Sequence, residues 1–252
     1  MSVHLVLYSN GEPYGTTKKL SIETIPSFTS RKVIIHDYNL EKIKELDWFV
    51  LLKDLPLLGG CIRDGYYNAW KPLIVRDVFN QMEDNDILYY VDCSSYNVEG
   101  FTQNIDRLLG VTDQLGAVAG SIGYDVRNNS FNCCDNIDVW NKIIPNNDNS
   151  IYLDLMHVLN SWFLLKKNNT NKMFVDEWVY FSFYKDEDFP NPLLTYHHTV
   201  DQSIFNILTI KYKLHSFYSE NITHYDNKNK NIPLYFINNT ENISSNFVAF
   251  LQ

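Results

Sequence analysis

No run of apolar residues in this 252-residue chain approaches the ~18 that a membrane-spanning helix requires. The opening residues also lack the charged-then-apolar layout of a secretory signal. These two absences make an intracellular, cytoplasmic location the expectation. Cysteine is scarce, with 4 residues, Cys61, Cys93, Cys133 and Cys134, and no Cys-x-x-Cys spacing among them. Neighbours 133 and 134 cannot bridge one another easily, so the pattern suits a reducing compartment. Sequons at Asn221 and Asn242 then read as products of an asparagine-rich composition. Positive charge is short as well. Against 30 Asp and Glu stand 21 Lys and Arg, a formal net charge of -9, which argues against nucleic acid or an anionic membrane as a partner. It is no obstacle to a nucleotide diphosphate, which a metal ion and one or two local cations can neutralise.

What is abundant is core-forming material: 45% hydrophobic and 15% aromatic residues exclude a disordered chain. The length suits one domain with a substantial core. The chain is organised around Asp86–Ser95. Ile87 to Val91 is a short apolar run that predicts a strand buried on both faces, and it stops at Asp92 before small polar residues. In open α/β sheets ligands lie beyond the carboxyl ends of strands, so a carboxylate there faces a site. Upstream, Leu73, Ile74, Val78, Phe79 and Met82 have helical spacing, with Asn68 as an N-cap and Pro72 tolerated in the first turn.

The remaining elements follow the same signals. Val3–Tyr8 predicts a first strand, Thr16–Phe28 a helix, and Lys32–His36 a second strand ending at Asp37. Asn39 caps a helix carrying Ile43, Leu46 and Phe49 or Val50. A short helix is expected over Thr102–Leu109 and a strand over Leu115–Ile122. Residues 128–149 read as loop with one helical patch around Asp135–Ile144, and Met156–Leu165 is a further apolar run. Thr170 starts a helix bearing Phe174, Val175, Trp178 and Phe181, with Asp176 and Glu177 toward its exposed side. A last helix starts at Val200, Lys213–Tyr218 forms a final strand, and the tail packs back through its two apolar patches. The expected class is α/β, a mixed central sheet flanked by helices.

Gly65-Tyr66, Trp70-Lys71-Pro72, Asn85-Asp86-Ile87, Tyr90-Val91-Asp92 and His198 through Asp201-Gln202-Ser203-Ile204 stand in this order. Together they resemble a group of nucleotide-sugar glycosyltransferases of the GT-A fold, and more remotely the glycogenin and bacterial galactosyltransferase family. The resemblance covers roughly Ser2 to Leu214. It implies a single GT-A-like (Rossmann-like) domain over 1–252, with 1–125 as the donor-nucleotide half and 126–252 as the acceptor-side half and tail. It implies a nucleotide-sugar donor, with UDP-sugar the first choice, a glycan or other hydroxyl acceptor, and Mn²⁺ or Mg²⁺ as cofactor.

In that family the metal motif is Asp-x-Asp, whose last carboxylate reaches the ion. Here it reads Tyr90-Val91-Asp92, leaving Asp92 as the expected ligand, or else an Asp that caps the next turn. Ser94 is a lesser contributor through water, and His198, His215 and His224 are undecided as second ligands. Tyr8 and Ser9 inherit contact with base and ribose, Asp37 with a base N–H, and Asn160 a place under the donor sugar. Lys71 inherits a place against the diphosphate, with Arg63 a weaker second cation and Trp70 a pocket wall. Asp201 and Gln202 suit sugar hydroxyls, because one only accepts while the other donates and accepts, and His198 would line the same wall. For an inverting enzyme Asp201 or Glu177 would be the base; a retaining one needs none. Two other readings stay open. One is a non-catalytic sugar-binding relative whose metal site decayed at Tyr90. The other is a nucleotidyltransferase, disfavoured because Ser9–Pro13 is not the Gly-rich basic loop that class carries. The aromatic-rich tail leaves a homodimer open.

Overall fold

A computed structural model describes residues 1–11, 14–53, 70–93, 105–125, 141–145, 156–183, 200–212 and 214–218. The expected Asn68 cap and the packing of the tail lie outside them. Six strands form one sheet in the order β2-β1-β3-β5-β4-β6. They are β1 (Val3–Tyr8), β2 (Val33–Tyr38), β3 (Ile87–Val91), β4 (Ala117–Asp125), β5 (Met156–Lys166) and β6 (His215–Tyr218). Strands β2, β1 and β3 run parallel, β5 is antiparallel to both its neighbours, and β4 and β6 are again parallel to each other. The fold is therefore α/β with a mixed sheet. Strands from both the 1–125 and the 126–252 segments share that sheet.

The two-residue period of the strands divides the core. Leu5, Leu7, Ile87, Tyr89, Val118 and Leu164 pack on one face, with Ile105, Leu108 and Leu109 of helix α5 (Ile105–Leu115) among their partners. On the other, Val6, Tyr8, Leu88, Tyr90, Ala119 and Phe163 meet three helices. These are α4 (Trp70–Gln81), α6 (Asn169–Phe183) and α7 (Val200–Lys211). The strand-end residue Asp92 stands two positions after Tyr90, in register with this helix-covered face. Helices α1 (Tyr14–Thr24), α2 (Leu40–Lys44) and α3 (Val50–Lys53) belong to the amino-terminal part of the chain. The chain at 141–143 adds a helical turn within the expected 135–144 patch.

Several boundaries differ from the sequence reading. The expected 16–28 helix is α-helical only to Thr24 and tightens into a 3₁₀ turn at Ile25–Phe28, with Pro26 in its first turn. The helix expected over 102–109 runs on to Leu115. Ile105, Leu108, Leu109 and Thr112 form one buried stripe at helical spacing, and Gly116 at φ +86 then reverses the chain. Strand β4 consequently begins at Ala117, not at Leu115. Strand β2 continues through Asp37 to Tyr38, because the backbone ladder to β1 holds as far as the Tyr8–Tyr38 pair. The Asn39 cap is present, its side chain accepting from the Lys42 N–H at 2.8 Å.

Candidate functional site

At the carboxyl end of β3 a buried ammonium lies between two carboxylates. Lys71 enters from the first turn of α4, where the sequence Trp70-Lys71-Pro72 starts a helix that buries Trp70, Pro72, Leu73 and Ile74. Its side chain is only 4% exposed, and Nζ stands 3.2 Å from Asp92 Oδ1 and 3.3 Å from Asp201 Oδ2. It also donates to the side-chain and backbone oxygens of Asn160, at 3.3 and 3.4 Å. The face of Tyr90 lies 5.3 Å from the same nitrogen. Burial works against the ammonium, but Asp92 and Asp201 together outweigh it and hold the Lys71 pKa above the usual lysine value.

The two carboxylates differ. Asp201, in the first turn of α7, is 1% exposed, and burial pushes its pKa up. Lys71 and the Asn160 amide offset only part of that shift. Asn160 Nδ2 donates to Asp201 Oδ2 at 2.5 Å, while Oδ1 is buried with no hydrogen-bond partner among the described residues. Asp92 is 26% exposed and so faces the open side. Its Oδ1 accepts from the Tyr90 hydroxyl at 2.5 Å. Burial first, and then Asp92, push the Tyr90 phenol well above its ordinary pKa, so it stays a donor. Its ring stacks on Phe163 of β5 at 5.0 Å.

Strand β5 supplies the floor through an irregularity. The ladder to β4 jumps from Ala119–Phe163 to Gly120–Leu159, so residues 160–162 fall out of register. Such a bulge re-aims side chains, and here it turns Asn160 toward Lys71 and Asp201. Beyond the end of β3 the backbone of β5 is met by α7 instead of a strand. Gln202 Oε1 accepts from Asn160 N at 2.9 Å, its Nε2 donates to the Val158 carbonyl, and Asn206 Oδ1 accepts from Val158 N at 2.9 Å. Spaced at i and i+4, these two amides face β5 together and complete its hydrogen bonding. Gln202, read from sequence as a sugar-binding side chain, has both ends of its amide occupied in this way.

The structure thus brings Lys71, Asp92, Asn160, Asp201 and Gln202 together and sets other sequence candidates apart. Glu177 is bound to Lys211 at 2.7 Å. Ten residues of α7 separate that lysine from Asp201, about 15 Å of helix. Trp70 stacks on Tyr8 at 3.8 Å and both are buried, so they form core beneath the strand ends. Ser9 is buried too, its N–H donating to the Tyr38 carbonyl at 3.2 Å. Asp37 is half exposed and pairs with Lys18 at 2.6 Å. Lys18, which the sequence reading did not single out, is 12% exposed and also donates to the Tyr38 carbonyl at 3.1 Å. Its only sequence signal was a position on the first helix after β1. The thiol of Cys93, next to Asp92, is pushed up to about 12 by burial, and the Asp92 charge acts in the same direction. Arg63, Ser94, His198 and His224 lie outside the described residues, and His215 is described only as part of β6.

Among the described residues no group of three His, Cys, Asp or Glu side chains could hold a metal ion. The donor set fits a different arrangement, because Mg²⁺ is commonly held by one or two carboxylates with substrate phosphates supplying further ligands. Asp92, partly exposed at a strand end, meets that requirement as a single carboxylate.

No protein-family model matches the chain, and no curated protein matches its sequence. Among solved structures, the apo form of mouse xyloside xylosyltransferase 1 matches at 8% identity with a TM-score of 0.43. The match covers 87% of this chain and 85% of that one. At that distance neither residue roles nor substrate carry over. No helix among the described residues is long and apolar enough to cross a membrane.

Proposed function

We propose that the chain is a GT-A-type glycosyltransferase that moves a sugar from a nucleotide diphosphate, a UDP-sugar by first choice, to a hydroxyl of a glycan or other acceptor. The observation that carries this reading is the unpartnered Oδ1 of Asp201, buried beside a partly exposed Asp92 at the carboxyl end of the sheet. A buried acceptor without a donor costs about 1–3 kcal/mol. A sugar hydroxyl is the neutral donor that would satisfy it without adding charge. Asp92 would hold Mn²⁺ or Mg²⁺, which when bound neutralises the charge developing on the departing diphosphate.

Each neighbour has a part in that chemistry. Lys71 neutralises part of the charge on Asp92 and Asp201 and fixes the spacing between them. Asn160 pins one oxygen of Asp201 and so aims the other. With Glu177 drawn away by Lys211, Asp201 is the described carboxylate that could take a proton from an acceptor, and its raised pKa suits a base. Retention needs no base, and Asp201 would then only orient the sugar.

Thermal shift tests the reading. UDP with Mn²⁺ at about a hundredfold its Kd should stabilise the parent by about 2.7 kcal/mol, a rise in Tm on the order of 5 °C for a chain of this size. Asp92→Ala should lose most of that rise. A variant that responds as strongly as the parent would remove Asp92 from the donor site. Release of free sugar from a UDP-sugar, with and without Mn²⁺, distinguishes an enzyme from a non-catalytic relative.

A further inference from the structure

The chain leaves β1 through a chemically labile step. Asn10-Gly11 is the one place in the sequence where glycine follows asparagine. With no Cβ on the second residue, its backbone nitrogen can close on the asparagine side chain with little steric hindrance. A fold suppresses that closure where it buries the amide and holds it by hydrogen bonds. Asn160-Ser161, another asparagine before a small residue, is suppressed in both ways: Asn160 is buried and its amide donates to Asp201 at 2.5 Å. The end of β1 is different. Asn10 and Gly11 are both exposed, and a methyl group placed on Gly11 would meet no described atom within 4 Å. Gly11 stands at φ +80, so the turn needs glycine for its backbone conformation and not for want of room. Water and hydroxide therefore reach the step, and nothing described crowds it. The chain is anchored on either side of it. The Ser9 N–H donates to the Tyr38 carbonyl at 3.2 Å, and the Gly11 carbonyl accepts from the Gly15 N–H at 2.9 Å in the turn that leads into α1.

We propose that Asn10 is a site of spontaneous deamidation in the folded chain, converting to aspartate and isoaspartate. The Gly11 nitrogen gives its proton to solvent and attacks Cγ of Asn10. A C–N bond forms and closes a succinimide ring, the Cγ–Nδ2 bond breaks, and ammonia leaves with a proton from solvent. Water then opens the ring and is the sole co-reactant. Opening at Cγ gives aspartate; opening at the main-chain carbonyl gives isoaspartate, with an extra methylene in the backbone between the two anchors. Either product adds one negative charge beside Ser9. Strands β1 and β3 run parallel with Val6 opposite Tyr90, so the chain after Tyr8 leaves the sheet at the edge where Asp92 stands. In the glycosyltransferase reading, on which this last step rests, the new charge opposes the diphosphate and weakens donor binding as the protein ages.

Peptide mapping that separates aspartate from isoaspartate tests the modification on the native chain, incubated in mildly alkaline and in mildly acidic buffer. Residue 10 should gain one mass unit, faster in the alkaline buffer, and should convert ahead of every other asparagine. Asn10→Gln, whose longer side chain would have to close a larger ring, should slow the conversion at least about tenfold. A native chain that stays intact at residue 10 while the same chain in urea converts would overturn the proposal, because the fold would then protect the step. Equal conversion at Asn160 would overturn it as well. Calorimetric titration with UDP and Mn²⁺ tests the consequence: Asn10→Asp should raise Kd about threefold at low salt, and the difference should shrink at high salt. An unchanged Kd would strike out the effect on the donor and leave the modification standing. Absence of UDP binding by the parent itself would overturn the glycosyltransferase reading, again without touching the modification.

Discussion

Two buried polar clusters sit at opposite ends of the parallel strands, and they differ in how completely they are satisfied. At the amino ends His4 Nε2 lies 3.3 Å from Asp86 Oδ2, His4 Nδ1 is 2.9 Å from His36 Nε2, and the other Asp86 oxygen accepts from Ser2 N at 2.5 Å. Neutral rings can fill this chain, with His36 donating to His4 and His4 donating to Asp86. It ties β1, β2 and the start of β3 together. At the carboxyl ends Lys71, Asp92 and Asp201 carry a surplus of one negative charge when both carboxylates are ionised, together with an orphaned acceptor. Equal burial thus hides unequal roles. A closed hydrogen-bond chain supports the fold, whereas an open one at a strand end is where a ligand completes the set.

The sharpest way to break this contrast is to remove the shared cation. Lys71→Met keeps an unbranched apolar stem but leaves Asp92 and Asp201 facing one another without it. The expected loss is about 3–5 kcal/mol, as for other broken buried pairs, read from urea midpoints at constant m. Adding Asp201→Asn should recover a large part of it, because the deeper charge is then gone. If Lys71→Met alone costs under about 1 kcal/mol, the cluster is not held by charge, and comparing it with the histidine chain loses its meaning.

A smaller effect separates support from chemistry within the same site. Gln202→Ala strips the partners from Val158 O and Asn160 N, two buried backbone groups. About 2–3 kcal/mol of stability should go, while the Tm rise caused by UDP and Mn²⁺ stays close to that of the parent. Loss of that rise without loss of stability would return Gln202 to the role of a sugar ligand.

That residue also marks where the sequence was legible and where it was not. The apolar run ending at Asp92 and the helical stripe from Leu73 to Met82 identified β3 and α4, because period and a hard stop are local signals. The Asp201-Gln202 start of a helix was equally visible. What Gln202 does there was not, since its partners are backbone atoms of β5 more than 40 positions earlier, exposed only because β3 ends and β5 bulges. Lys71 is legible in the same partial way. Its position at a helix start is local, but its enclosure by Asp92, Asn160 and Asp201 exists only once three distant segments meet. The pairing of Glu177 with Lys211, 34 positions later, is likewise a contact that no local pattern announces.

The smallest expected effect belongs to the histidine chain, and it has a definite sign. Burial lowers the His36 pKa from 6.5 to about 4; the neighbouring charge of His4 and that of Lys42 act in the same direction, and Asp77 opposes them. The unfolded chain therefore takes up a proton on this ring as the pH falls below 6.5, while the folded chain resists until about 4. Stability should decline across that window as pH is lowered, by a modest amount because the ring is only partly buried. His36→Gln retains an amide able to donate to His4 Nδ1 and removes the titration. Its urea midpoint should fall less between pH 7 and pH 4.5 than that of the parent, and the UDP–Mn²⁺ response at pH 7 should not move. An identical decline in parent and variant would mean that the amino-end cluster does not sense acid. A changed donor response would mean that the two ends of the sheet are coupled and cannot be treated as separate regions.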